Sequence, residues 1–145
     1  MVSKLNKELI AKNWDEIAPS IEVSLPPTTN TSDRRMLNIL QSSLEGRMQV
    51  WVMRDDDTEE LQAVLTTTIM LDTVSEAPYL LIYTLYGYDK PIPNKALTEG
   101  FKVLEEFAKQ NYCRQISAFS MNPAVDLIAR KYNANPTTYY SFPIK

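Results

Sequence analysis

The sequence contains no histidine and a single cysteine, Cys113. That excludes a histidine-based catalytic triad, a zinc site of the usual ligands and a disulfide framework. Only three glycines are present among 145 residues, so a glycine-rich phosphate loop has little to be built from. No run of about 18 apolar residues occurs, and no membrane-spanning helix is expected. Basic residues do not dominate. Fifteen Lys and Arg stand against 18 Asp and Glu, for a net charge of −3. A generic grip on nucleic acid or anionic lipid is thereby ruled out. The first residues, MVSKLNKELIAKNW, interleave charges and form no signal-peptide core. What is present is 44% hydrophobic and 23% charged, the balance of a globular chain whose length suits one domain, residues 1–145. An intracellular origin is expected.

Apolar spacing at Leu5, Leu9, Ile10, Trp14 and Ile17 predicts an amphipathic helix over 5–17. Pro19 is expected to stop it, leaving IEVSL as a short extended stretch before Pro26-Pro27. Thr31, Ser32 or Asp33 could cap a second helix over 34–44, with Met36, Leu37, Leu40 and Leu44 on its buried face. Gly46 then supplies a stop that tolerates positive φ. MQVWVM and LQAVLTTTIML read as strands joined by a hairpin through residues 54–60. Asp55, Asp56 and Asp57 lack the alternating ligands, turn glycine and distal glutamate of a calcium loop, and read as a solvated tip. After a loop over 72–78, YLLIYTLYGY reads as a strand buried on both faces.

From there the period changes from two to about three and a half. Leu97, Phe101, Leu104, Phe107 and Ala108 line one helical face, opposite Lys102, Glu105, Glu106 and Lys109. Gly100 lies within this helix, where it permits close packing on the sheet. RQISAFS is expected as a strand, Asn122-Pro123 as the cap and first residue of a helix to Tyr132, and TTYYSFPI as a closing strand. Tyr83, Tyr86, Tyr88, Tyr139 and Tyr140 are expected to pack, since strand tyrosines usually bury the ring and wet the hydroxyl. Cys113 reads as a structural thiol, and Asp126 with Arg130 as an exposed helical pair. A strand–helix–strand unit pairs its strands in parallel by a right-handed crossover. The fold class is therefore α/β, a mixed and mostly antiparallel central sheet flanked by helices.

This order of elements resembles the GNAT family, the Gcn5-related N-acetyltransferases. The likeness runs from Trp14 to Ile144 and is carried by LLIYTLYGY, GFKVLEEFAKQNYCRQISAFSMN and PAVDLIARKYNA. It implies an acyl-CoA N-acyltransferase-like fold and acetyl transfer from acetyl coenzyme A to an amine. It also implies a helix N-terminus that binds pyrophosphate through backbone N–H groups, and a tyrosine that returns a proton to the thiolate. On that pattern Leu85 and Gly87 would meet the pantetheine arm, while Lys90, Asn94, Ala96 and Asn122 would lie along the cofactor.

Two departures follow. The loop reads Asp89-Lys90-Pro91-Ile92-Pro93-Asn94-Lys95-Ala96, where two prolines remove two donors and Asp89 adds a negative charge. The tyrosine position, counted from Asn122, is Ala129, which leaves Tyr88 and Tyr132 as the weak candidates for a proton donor. The expectation is a GNAT-like protein that has lost catalysis, needs no cofactor and binds other proteins or itself. Its general look resembles small tailed-phage products, implying phage structural proteins as partners and a place in the virion or the host cytoplasm. The alternative is an active acetyl-CoA-dependent N-acetyltransferase with an atypical loop.

Overall fold

The computed structural model describes residues 1–26, 34–88, 91–119 and 122–144. The elements run β1 (Val2–Lys4), α1 (Lys7–Val23), α2 (Arg35–Leu44), β2 (Met48–Arg54), β3 (Leu61–Leu71), β4 (Pro78–Gly87), α3 (Asn94–Gln110), β5 (Ile116–Ala118) and α4 (Pro123–Lys131). The five strands form one sheet in sequence order. β1 through β4 are antiparallel neighbours, and β4 pairs with β5 in parallel. The mixed sheet flanked by helices is as expected.

Alternation along the strands sends side chains to two cores. On one face Trp51, Met53, Ala63, Leu65 and Leu80 meet Leu97, Leu104 and Ala108 of α3 and Ala124 of α4. On the other, Val50, Val52 and Val64 meet Ile10, Ile17 and Ile21 of α1 and Ile39 of α2. β3 is central and its middle residues are buried on both faces. β4 was expected to be so too, but only Leu80, Thr84 and Gly87 are fully buried. The cause is its short partner, because β5 offers only three residues of pairing.

Gly100 of α3 lies tight against Met53 and Val2 of the sheet. A Cβ there would sit 2.6 Å from Met53 Cε. Because that methyl ends a flexible side chain, Gly100→Ala should change stability by no more than about 1 kcal/mol, with the helix gain offsetting the shift of Met53. Gly100→Leu cannot be absorbed so and should cost roughly 1–3 kcal/mol. Urea titration of the two variants checks the difference.

α2 ends in a Schellman motif. Arg47 N–H donates to Ser42 O at 2.9 Å, Gly46 N–H donates to Ser43 O at 3.3 Å, and Gly46 takes φ of 80° as expected. Both hairpin tips are held by an aspartate. Asp55 accepts from the N–H groups of Asp57 and Thr58, and Asp72 from those of Val74 and Ser75. These donors hold both carboxyls below their usual pKa, Thr58 contributing most at Asp55 and Ser75 most at Asp72. Among the described residues no group of three or more His, Cys, Asp or Glu is placed to hold a metal ion.

Several expectations are corrected. Pro19 does not stop α1, which carries it inside and continues to Val23, so Ile21 to Val23 of IEVSL are helical. Ile21 is fully buried, and that burial outweighs the lost backbone donor. Leu9, assigned to the buried stripe, is exposed. In α2 the buried positions are Ile39 and Ser43, with Met36 and Leu40 beside them, whereas Leu37 and Leu44 turn outward. β1 was not foreseen, since three residues carry too little alternation to register. RQISAFS shrinks to Ile116–Ala118, and TTYYSFPI forms no strand. The proposed caps Thr31, Ser32 and Asp33 lie outside the described residues.

Candidate functional site

The place where the fold departs from regular pairing is the junction of β4, β5, α3 and α4. Among the described residues β4 and β5 pair from Leu80 to Ile82 against Ile116 to Ala118, while β4 continues to Gly87. On its other side β4 pairs with β3 through a bulge, Thr66 opposing Thr84 and Thr67 opposing Ile82, with Tyr83 the extra residue. The bulge inverts the alternation. Leu80, Ile82 and Leu85 share the α3 face, and Tyr86 reaches the α1 face.

Asn122, ahead of α4, does two jobs. Its Oδ1 accepts from Ala124 N–H at 2.9 Å, capping α4 ahead of Pro123. Its Nδ2 donates to Leu85 O at 3.2 Å, tying it to β4. Asn122→Ala should thus cost roughly 1–2 kcal/mol, the usual loss of a cap plus a backbone acceptor left without its partner. Asn122→Ser keeps the cap oxygen and should cost less than about 1 kcal/mol. Urea midpoints at constant m separate the two effects.

α3 begins at Asn94. Its cap residue is Pro93, which makes no side-chain capping bond. The first N–H groups, of Asn94, Lys95 and Ala96, are those an α-helix leaves without an internal acceptor. Asn94 and Lys95 are exposed, Ala96 is buried, and Ile92 pins the preceding turn into the core. An open hollow of about 430 Å³ lies on this end of α3, lined by Asn94, Lys95, Thr98, Glu99 and Lys102. Lys95 Nζ lies 3.4 Å from Asp56 Oδ2 at the β2–β3 tip, and Lys131 Nζ of α4 donates to Thr98 Oγ1 at 2.8 Å. A diphosphate would find here three helix N–H groups and the ammonium groups of Lys95 and Lys102, against two prolines that donate none and a carboxylate at Glu99, so the lining fits such a group in part. Lys90 and Asp89 lie outside the described residues.

The two candidate proton donors, Tyr88 and Tyr132, are held by different partners. Tyr88 receives a hydrogen bond from Ser20 Oγ of α1 at 2.7 Å and meets the Tyr86 ring edge-on at 5.0 Å. Burial, chiefly, pushes the Tyr88 hydroxyl above its ordinary pKa. Tyr132 ends α4 and stacks on Phe101 of α3 at 4.2 Å. Tyr83 and Tyr139 each meet Phe119 edge-on. Packing suits Tyr83 and Tyr86, but Tyr139 and Tyr140 are mostly exposed, because the strand expected to hold them does not form. Burial also raises the Cys113 pKa, which disfavours the thiolate and suits a structural thiol.

The structure thus brings Leu85 and Asn122 together and sets Asn94 and Ala96 on the first turn of α3, with Tyr88 and Tyr132 held by other partners. The Ser20–Tyr88 bond was not read from the sequence, because 68 residues separate its partners. The Tyr83 bulge was missed as well. The switch from Leu80 and Ile82 to Leu85 within one apolar strand was a signal that could have shown it.

No family model matches the sequence, and no curated protein matches it. Solved structures do match. A ribosomal-protein-alanine N-acetyltransferase from Brucella melitensis biovar Abortus 2308 aligns over 100% of this chain and 99% of its own, at TM-score 0.65 and 13% identity. A GNAT family acetyltransferase from Staphylococcus aureus aligns over 100% and 97%, at TM-score 0.64 and 12% identity. AAC(6')-Iy, in complex with the bisubstrate analog CoA-S-monomethyl-acetylneamine, aligns over 100% and 97%, at TM-score 0.71 and 11% identity. With a five-stranded mixed sheet flanked by helices and full-length alignment to these structures, the chain has the fold of the GNAT acetyltransferases.

Proposed function

We propose that this chain uses an acetyltransferase fold as a protein-binding scaffold, without acetyl transfer and without a cofactor. The observation that carries this reading is the placement of the two candidate proton donors. Tyr88 is tied to Ser20 and pushed up in pKa, and Tyr132 is stacked on Phe101. A general acid works best with its pKa near the operating pH, so raising a tyrosine moves it the wrong way. The proline-capped start of α3 and the Asn122–Leu85 bridge support the same reading. Phage structural proteins are the partner class that the resemblance in sequence pattern suggests, with the virion or the host cytoplasm as the place of action.

Titration calorimetry of the full chain with acetyl coenzyme A tests the reading. No heat of binding is expected, and a micromolar Kd would overturn it. The likeness in fold to AAC(6')-Iy, solved with a CoA bisubstrate analog, favours a second reading, an acetyl-CoA-dependent N-acetyltransferase. In that case Leu85 and Gly87 would flank the pantetheine, with Lys90, Asn94, Ala96 and Asn122 along the cofactor. The same titration decides between the two.

A further inference from the structure

The geometry points to a small-molecule site in a hollow at the start of β2, which takes an uncharged ligand by its carboxamide group with Gln49 as the polar anchor. This goes beyond the protein-binding reading and does not depend on it.

The hollow measures about 450 Å³ and lies between the end of α2 and the β2–β3 pair, lined in part by Ser42, Gly46, Gln49 and Ile69. That volume is within the range of small-molecule sites. The start of α3 is far away. Lys95 of α3 reaches Asp56 beyond the other end of β2, and the seven residues of that strand set the two ends roughly 20 Å apart.

Gln49 is 9% exposed, and a relay of hydrogen bonds leaves its carboxamide one orientation. The Trp51 indole N–H can only donate, so Thr67 Oγ1 accepts it, at 2.9 Å. The single Thr67 hydroxyl proton then goes to Gln49, at 2.9 Å, and Gln49 must present Oε1 there. The planar carboxamide therefore turns Nε2 away from Thr67. Of the two Nε2 donors, one makes a bond of 3.5 Å to Gly46 O, and the other has no partner among the described residues. Buried donors are normally paired, and a carbonyl entering the hollow completes this one.

The surroundings select an uncharged ligand. Arg47 at the rim is paired with Glu45 at 2.7 Å, so the two bring no net charge. The last turn of α2 ends here, and the negative end of its dipole disfavours an anion. Ser42 Oγ, half-buried on α2, makes no hydrogen bond among the described residues. A carboxamide suits all three features. Its oxygen accepts from Gln49 Nε2, and its N–H donates to Gly46 O or Ser42 Oγ. Met48 and Ile69 supply a wall for an apolar body.

Titration of the isotope-labelled full chain with N-acetyl-leucinamide, followed by nuclear magnetic resonance, tests the site. The Gln49 side-chain amide and the Gly46 N–H should shift together with a Kd of about 1 mM, the affinity so small a probe allows. Gln49→Met removes the donors, and Ser42→Leu fills the hollow from α2 while leaving Gln49 in place. Each should weaken binding about 10-fold or more, and Ser42→Leu stays informative if Gln49→Met fails to fold. No saturable shift up to about 50 mM would overturn the inference, and so would binding that survives both substitutions. N-acetyl-leucine, the same body carrying a carboxylate, should bind about 10-fold more weakly. Equal or tighter binding of it would sink the assignment of an uncharged ligand. Acetyl coenzyme A should leave the probe in place. Displacement by it would put the probe in the cofactor cleft and end the case for this site. Binding of acetyl coenzyme A without displacement would sink the protein-binding reading and leave the hollow standing.

Discussion

Thr67→Val is expected to cost roughly 2–5 kcal/mol, a large share of the stability of a chain this size. Thr67 lies at the centre of the sheet with no solvent exposure. Its hydroxyl donates to Gln49 Oε1 at 2.9 Å and accepts the indole N–H of Trp51 at 2.9 Å. Trp51 and Gln49 are themselves buried, on neighbouring β2, and point to the same face as Thr67. Valine fills the same volume but leaves a donor and an acceptor without partners, each worth about 1–3 kcal/mol away from water. Trp51 is sealed beneath α3, where water cannot easily replace the lost partner, whereas Gln49 lines an open hollow beside Gly46 and Ile69 and its loss sets the lower end of the range. Thr68→Val is the control, because its hydroxyl bonds Arg47 O at the strand end near solvent, and a loss under about 1 kcal/mol is expected. The urea midpoint should fall for the first and barely move for the second, at constant m. Equal losses would show that the network around Thr67 contributes nothing beyond its neighbours.

Where the determinants of structure are local, the sequence states them well. Asn122-Pro123 announces a helix start by cap chemistry, Gly46 announces a stop by its φ, and β3 is bounded by its own alternation from Leu61 to Leu71. α3 follows from the spacing of Leu97, Leu104 and Ala108. What was not legible depends on partners distant along the chain. TTYYSFPI has the composition of a strand, but a strand exists only beside another, and among the described residues it pairs with none. Leu37 and Ile39 are equally apolar, and only packing on β2 decides which turns inward. The candidate site divides the same way. Asn122 and the prolines before α3 could be read directly, whereas the capture of Leu85 O by Asn122 and of Tyr88 by Ser20 required the fold.

The same contest between local and distant forces is sharpest in α1, where it predicts opposite outcomes two residues apart. Pro19 lacks the N–H that would bond one turn back, and its ring crowds the carbonyl there, a defect of about 3 kcal/mol in a helix interior. The helix persists because its last turn is buried. Ile21 is fully buried against Val50, Val52 and Val64, and Ser20 reaches Tyr88. Ser24 Oγ then closes the end on Ser20 O at 2.8 Å. Ile21→Ala should remove the burial and cost roughly 2–4 kcal/mol, against under about 0.5 kcal/mol for Val23→Ala at a position 76% exposed. Pro19→Ala should act in the other direction. It restores a backbone bond and relieves the ring contact, offset in part by the freer unfolded chain, for a net gain of about 1–2 kcal/mol. In the double variant the two effects should fall short of additivity, since Ile21 holds the turn that Pro19 weakens. If Pro19→Ala instead destabilised the protein, the kink at Pro19 would be what seats Ile21, and burial would be a consequence of the proline rather than the force that overrides it.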